Sequence, residues 1–445
     1  MSSRSNATPN TRLKELRRAR GLTQKCLADL IQVSLNTERD WEYGRIALPR
    51  IRQLKALSDT LNVPMGQLGF AALHQPVEDA IDLSSDLYEH AALSQALLIF
   101  CDDEQMKRRS FTLLTGAALV SPATQHLATP LSDPTTHDGS RMQITDELVD
   151  GLDEVNGWLR GMDDLVGGVT LLQVTRDQLH LVTDLANNGR YGERISRRLH
   201  STLAELLRTA GWQSFDTGHP AQAQHLWLTA LRAAHEAGDH ALGANILGWM
   251  SDQAKEINVA DAIPLAEAAL QTYRGSDPKV HTLLQLQAAK AYGYSRDLTA
   301  CRRAIDACFD SWGKVSQNED APSWTYWIDE RAIHTRAAGF SYYAMGKWTQ
   351  AQEHLQTALA LHNPKQMRDH GLCYTMLAIS QLAQRDVEQA CANANKAIDL
   401  FAGRIESTQC VNYLNHFTRK LDRYRASPTA RQFMEKTRGL KTTAT

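Results

Sequence analysis

The chain is 445 residues long, 43% hydrophobic and 22% charged, with a formal net charge of −2, a balance that describes a soluble folded protein and excludes a disordered one. No apolar run reaches the roughly 18 residues that span a bilayer, and the length admits about two to four domains.

The first elements fall between Thr11 and Pro49. Leu13 and Leu16 stand three apart on a first helix whose other positions include Lys14, Arg17, Arg18 and Arg20, so one side packs and the other is cationic. Gly21 ends that helix. Thr23 offers an oxygen to cap a second, in which Gln24, Leu27, Ala28 and Ile31 recur at helical spacing, and Ser34 caps a third, Leu35 to Glu42, anchored by Trp41. Gly44 and Pro49 force the exit turn. Two short helices joined by a tight turn, the second presenting Asn36, Thr37, Arg39 and Asp40, form a layout suited to pushing a helix into the major groove of duplex DNA.

The runs Gly21-Leu22-Thr23-Gln24, Leu27-Ala28, Val33-Ser34 and Trp41-Glu42-Tyr43-Gly44-Arg45 resemble, without a gap, the helix-turn-helix of the Xre or phage Cro/repressor family. The resemblance implies Thr23 and Gln24 against phosphate, Leu35, Asn36, Thr37, Arg39 and Asp40 near base edges, and Arg45 on the DNA backbone. One position departs: Glu38 stands where the family carries Val or Ile on the packed face. An unpaired buried carboxylate costs several kcal/mol, so Glu38 is expected to tilt to solvent or to pair with an arginine of the first helix. Residues 1–58 hold 12 Lys and Arg against 5 Asp and Glu, a surplus of seven on a chain whose total is −2. That asymmetry suits a phosphate-binding head on an acidic body. Arg17, Ser34 and Arg50 belong to the expected DNA-facing set; Arg50, Arg52 and Lys55 extend the cationic side, and Leu54, Leu57, Leu61 and Val63 close the core of a domain spanning 1–70.

Residues 71–145 read as a helical and flexible connector. Ile81 to Phe100 has helical spacing, whereas Ser121 to Arg141 is rich in Pro, Thr, Ser, Asp and His and reads as flexible. Arg108-Arg109 with the following apolar run looks like a twin-arginine export signal, but such signals are N-terminal, so a packed helix with a basic cap is expected and the protein is read as cytoplasmic. Gln143 to Ala186 continues as helices broken by Gly151, Gly157, Gly161, Gly167 and Gly168.

The remainder of 146–445 carries a repeat. Ala223, Ala262, Cys301, Ala351 and Ala390 recur at one constant interval, stretched only between Cys301 and Ala351, and a small residue follows each by seven: Ala230, Ala269, Cys308, Ala358 and Ala397. Twelve positions before each mark stand Gly211, Met250, Ala289, Gly339 and Ala378. A polar, loop-like insertion around Gly313 to Pro322 accounts for the stretched interval. Two helices per unit, small residues where they cross, and turns such as Gly346-Lys347 and Arg385-Asp386 describe helical hairpins. The fold class is therefore all-α. The small pair seven apart resembles the tetratricopeptide family, with each unit lengthened beyond that family's usual repeat, and two final helices, Gln409 to Ala426 and Thr429 to Leu440, cap the array.

Such stacks curve, and the first helix of each hairpin lines the concave wall. The register places Glu205, Arg208, Trp212 and Phe215 there, then Leu247 and Ser251, Lys290, and Arg336, Phe340 and Tyr343, then Thr375 and Ile379. Cations beside aromatics suit an extended peptide or an acidic small molecule. Helical regulators that sense signalling peptides clamp backbone with Asn side chains; here only Asn245 lies on such a helix. No phosphate-binding glycine loop, nucleophile elbow or H-E-x-x-H is present, the seven cysteines form no C-x-x-C, and His235-Glu236 to His240 crosses a turn. No catalytic residue, metal or cofactor is expected. The sequence reads as a homodimeric regulator of transcription that binds an inverted-repeat operator in double-stranded DNA, steered by a peptide, small molecule or protein on its repeats. The alternative is an interaction scaffold or antitoxin-like protein with autoregulatory DNA binding.

Overall fold

The computed structural model describes residues 10–45, 51–61, 63, 68, 70, 93, 96–97, 100, 111–129, 137–139, 142–316, 321–361, 367–401 and 407–440. The chain is all-α, with an N-terminal helix-turn-helix bundle followed by a long helical array. It divides into two compact units, one within residues 1–81 and 109–115, the other within 82–108 and 116–445.

In the first unit, side-chain caps start three helices by satisfying N–H groups that a helix leaves unpaired. Asn10 accepts from the Leu13 N–H at 2.9 Å to open α1 (Thr11–Ala19), Thr23 from Cys26 at 3.1 Å to open α2 (Gln24–Ile31), and Ser34 from Thr37 at 3.0 Å to open α3 (Leu35–Glu42). Gly21, at φ +65°, makes the sharp exit from α1 that a side chain would strain. A fourth helix, α4 (Ile51–Leu61), completes the bundle. Leu13, Leu27, Ala28, Trp41, Leu57 and Leu61 are buried at its centre, and Phe70 packs edge-on against Trp41 with ring centroids 6.4 Å apart.

The second unit begins with α5 (Ala117–Ala128), which lays Leu119, Ala123 and His126 onto the array. This corrects the flexible reading of the stretch from Ser121: Pro122 sits inside the helix, and its missing N–H is tolerated because one face of α5 is buried. The Arg108-Arg109 pair lies outside the described residues. Further on, His137–Asp138 pairs antiparallel with Arg190–Tyr191. Three of the expected glycine breaks are also absent. Helix α6 (Asp146–Val166) runs through Gly151, Gly157 and Gly161, since Val149, Leu152 and Leu159 bury a continuous stripe that outweighs roughly 1 kcal/mol per glycine. Only at Gly167, φ +87°, does the chain turn into α7 (Gly168–Asn188).

Five helical hairpins follow. They pair α8 (Glu193–Asp216) with α9 (Pro220–Ala237), α10 (His240–Ile257) with α11 (Val259–Thr272), and α12 (Pro278–Ser295) with α13 (Leu298–Trp312). The fourth pairs α14 (330–344), which contains a π-helical stretch Ile333–Gly339, with α15 (Trp348–Ala360), and the fifth α16 (Met367–Ala383) with α17 (Val387–Phe401). All ten small residues of the predicted register are at most 2% exposed. Two of the glycine marks twelve positions earlier sit where helices cross: a methyl group on Gly211 would lie 2.4 Å from the Trp227 indole nitrogen, and one on Gly339 would lie 2.7 Å from Leu355 Cδ2. Gly346 and Arg385 take φ of +72° and +68°, forming the expected turns. Helices α18 (Thr408–Leu421) and α19 (Pro428–Leu440) cover the last hairpin, burying Phe417, Leu421 and Phe433 against Ile379, Leu382 and Ile398. No described helix is long and apolar enough to cross a membrane.

Candidate functional site

The DNA-facing candidates are carried by the turn between α2 and α3. Asn36 and Arg39 are exposed on α3, with Thr37, Leu35 and Asp40 half-buried beside them, and Ser34 and Thr23 exposed at the two caps. Lys14, Arg18, Arg20 and Lys25, on or beside α1 and α2, are exposed cations of the same unit. Arg45 lies 3.1 Å from Asp40 and over the Tyr43 ring, so it is exposed but already held. Arg50 lies outside the described residues.

Arg17 departs from the expected cationic face. It is only 7% exposed and turns inward, donating from Nε to Glu42 Oε1 at 2.6 Å, from Nη2 to Glu42 Oε2 at 3.2 Å and from Nη1 to the Leu22 carbonyl at 2.7 Å. Gln24 also donates to Glu42 Oε2, at 2.7 Å. One carboxylate thus ties α1, α2 and α3 together, which fixes the angle at which α3 is presented. Glu38 is fully buried beside this cluster, with Arg17 Nε 3.5 Å away. The pairing with a first-helix arginine is therefore present but loose, and neither Glu38 oxygen has a hydrogen-bond partner among the described residues. Burial, with the neighbouring Glu42, pushes its carboxyl up to about 8, while Glu42 is held below its ordinary value by Arg17 and Gln24. At neutral pH Glu38 is the protonated member of the pair.

In the second unit, a cavity of about 670 Å³, counted out to its open mouth, is walled by charged and aromatic side chains. Three of its arginines are paired. Arg368 donates to Asp163 at 2.7 Å with Asp216 at 3.6 Å, Arg336 makes a two-point bond to Asp369 at 2.6 and 3.2 Å, and Arg160 pairs with Glu205 and donates to Ser323 at 3.1 Å. Arg208 is the exception. Its nearest acid, the already engaged Glu205, is 4.0 Å away, its one donation is to Thr209 at 3.4 Å, and its Nε has no acceptor among the described residues. Burial lowers both Arg208 and Arg160 to about 10, the latter also through repulsion from Arg208.

The aromatic wall is continuous. Trp212 and Trp249 have centroids 4.8 Å apart, and Trp249 and Trp327 6.2 Å. Arg368 stacks over Trp212 and Arg336 over Trp327. Tyr326, half exposed at the mouth, donates to Asp164 at 2.5 Å, and burial raises the Asp164 carboxyl to about 6.

Of the expected groove residues, the structure brings Arg208, Trp212 and Arg336 to this cavity. The others lie elsewhere. Phe215 packs between Trp212 and Trp227, Asn245 and Phe340 are buried in the helical core, Lys290 is buried against Asp252 at 2.5 Å, and Tyr343 packs on Trp348 and the terminal cluster. Sequence reasoning missed Arg160 and Asp163, which enter from α6 outside the repeats, and the Trp324, Tyr326 and Trp327 set. The last was legible as three aromatics in close succession directly after the insertion. No His, Cys, Asp and Glu group able to hold a metal occurs among the described residues.

A helix-turn-helix family model matches residues 13–68, which agrees with the first unit, so the chain carries a DNA-binding domain of that kind. No curated protein and no solved structure matches the chain.

Proposed function

We propose that the protein is a sequence-specific regulator of transcription that binds an inverted-repeat operator as a homodimer and whose DNA affinity is set by a ligand on the helical repeats. The reading rests chiefly on one observation: Asn36 and Arg39 are exposed on α3 while the side-chain hydrogen bonds of Arg17 and Gln24 to Glu42 tie that helix to α1 and α2. A helix held rigidly from one side and open on the other can place an asparagine and an arginine against adenine and guanine edges. Pairing two heads is required on energetic grounds, since one small domain makes too few contacts for specific occupancy and a second copy doubles them.

Footprinting of genomic DNA by the full-length protein identifies the operator. Asn36→Ala and Arg39→Ala are each expected to cost about 1–3 kcal/mol of discrimination against non-operator DNA without changing the melting curve. Unchanged footprints in both variants would remove α3 from the reading role, and a monomer bound to a half-site in sedimentation experiments would remove the dimer.

A further inference from the structure

Among the cavity's charges, two guanidiniums, Arg160 and Arg208, compete for one carboxylate, Glu205, and Arg160 holds it. Arg208, 6% exposed, is therefore left with no carboxylate closer than 4.0 Å and with an idle Nε donor. A buried cation without a partner is costly to the free protein, and an anion entering the cavity relieves that cost.

Other idle polar atoms on the lining residues include Arg160 Nε and the Trp249 indole N–H, both donors, and Asp163 Oδ1, an acceptor. The indole wall supplies a flat apolar surface. It does not select for a cation, since guanidiniums already cover Trp212 and Trp327.

We propose that the cavity binds a small aromatic carboxylate, its acid group on Arg208, its ring against Trp249 and Trp327, and a hydroxyl or amino substituent donating to Asp163. The proposal rests on the reading of the repeats as the ligand-bearing part of the protein and names the chemistry of that ligand.

The test uses the full-length protein and three probes, naphthoate, hydroxynaphthoate and naphthamide, followed by calorimetry and by quenching of indole fluorescence. Naphthoate is expected to bind about tenfold or more tightly than its neutral amide, and hydroxynaphthoate more tightly still. Arg208→Met is expected to abolish the preference for acid over amide while leaving the melting temperature without probe unchanged or higher, whereas a purely structural arginine would lower it. Equal binding of acid and amide, or no acid binding below about 1 mM, overturns the proposal, and this comparison needs no variant to fold. Naphthyl phosphate binding more than tenfold better than naphthoate overturns the carboxylate head. DNA affinity is measured separately with saturating naphthoate. Binding that leaves it unchanged refutes the sensing role and leaves the cavity assignment standing.

Discussion

Glu38 and Arg17 show how a carboxylic acid at a packed position comes to hold a proton. Both acids of the cluster face the same guanidinium, and Glu42 takes it at hydrogen-bonding distance, so the proton is left on Glu38. Because the folded value of Glu38, about 8, stands above its ordinary 4.5, the folded state binds the extra proton between those limits. Stability of the first unit should therefore fall as pH rises from near 4.5 toward 8 and level off above it. Hydrogen exchange of peptides within residues 10–45, followed across that range, measures the slope, and Glu38→Gln should flatten it. Arg17→Ala should destabilise the same unit by about 3–5 kcal/mol, since it leaves Glu42 charged and buried; Lys14→Ala, at an exposed site, should stay within about 0.5 kcal/mol. The presence of a charged residue at position 17 was plain from the sequence, but its direction was not. Helical spacing sets Arg17 four residues after Leu13, at the border between the packed and cationic sides, and the Glu42 carboxylate, two helices further along the chain, holds it inward.

At the scale of helices, the small-residue register was readable because close crossing admits only Gly, Ala or Cys, a constraint visible without coordinates. Gly211→Val is the direct check. Its side chain must displace the Trp227 indole, which also donates to the Arg208 carbonyl at 3.1 Å, and overpacking of this kind costs about 1–3 kcal/mol or more. A melting temperature unchanged by Gly211→Val would contradict the crossing geometry. The unread parts share a physical cause. The π-helical stretch Ile333–Gly339, which carries Arg336, inserts residues without changing composition, and glycines in α6 look like breaks when its buried stripe is not known. Predicted concave positions such as Lys290 and Asn245 are buried within the stack, Lys290 against Asp252, while the cavity forms where α6, α8, α10, α14 and α16 converge.

For the whole chain, charge is distributed so that 1–58 carry a surplus of seven cations and the rest is acidic. Association with duplex DNA should accordingly weaken more than tenfold between about 50 and 200 mM salt. Anisotropy titrations with operator and scrambled duplexes measure this. A flat response would mean that exposed Lys14, Arg18, Arg20 and Lys25 are not near phosphate. Part of this was available from composition, as a count of charges along the chain, whereas the number of cations free to meet phosphate required knowing that Arg17 is spent internally.

The two closing helices have a further consequence. Phe417, Leu421 and Phe433 seal an oily end formed by Ala378, Ile379, Leu382 and Ile398. A chain cut before Ser407 would bare that end, whereas the opposite end of the array stays covered by α7 packed on the first hairpin. With a single bare tip, such truncated molecules would meet tip to tip as pairs or precipitate, so fusion or trimming at this boundary governs both solubility and oligomeric state.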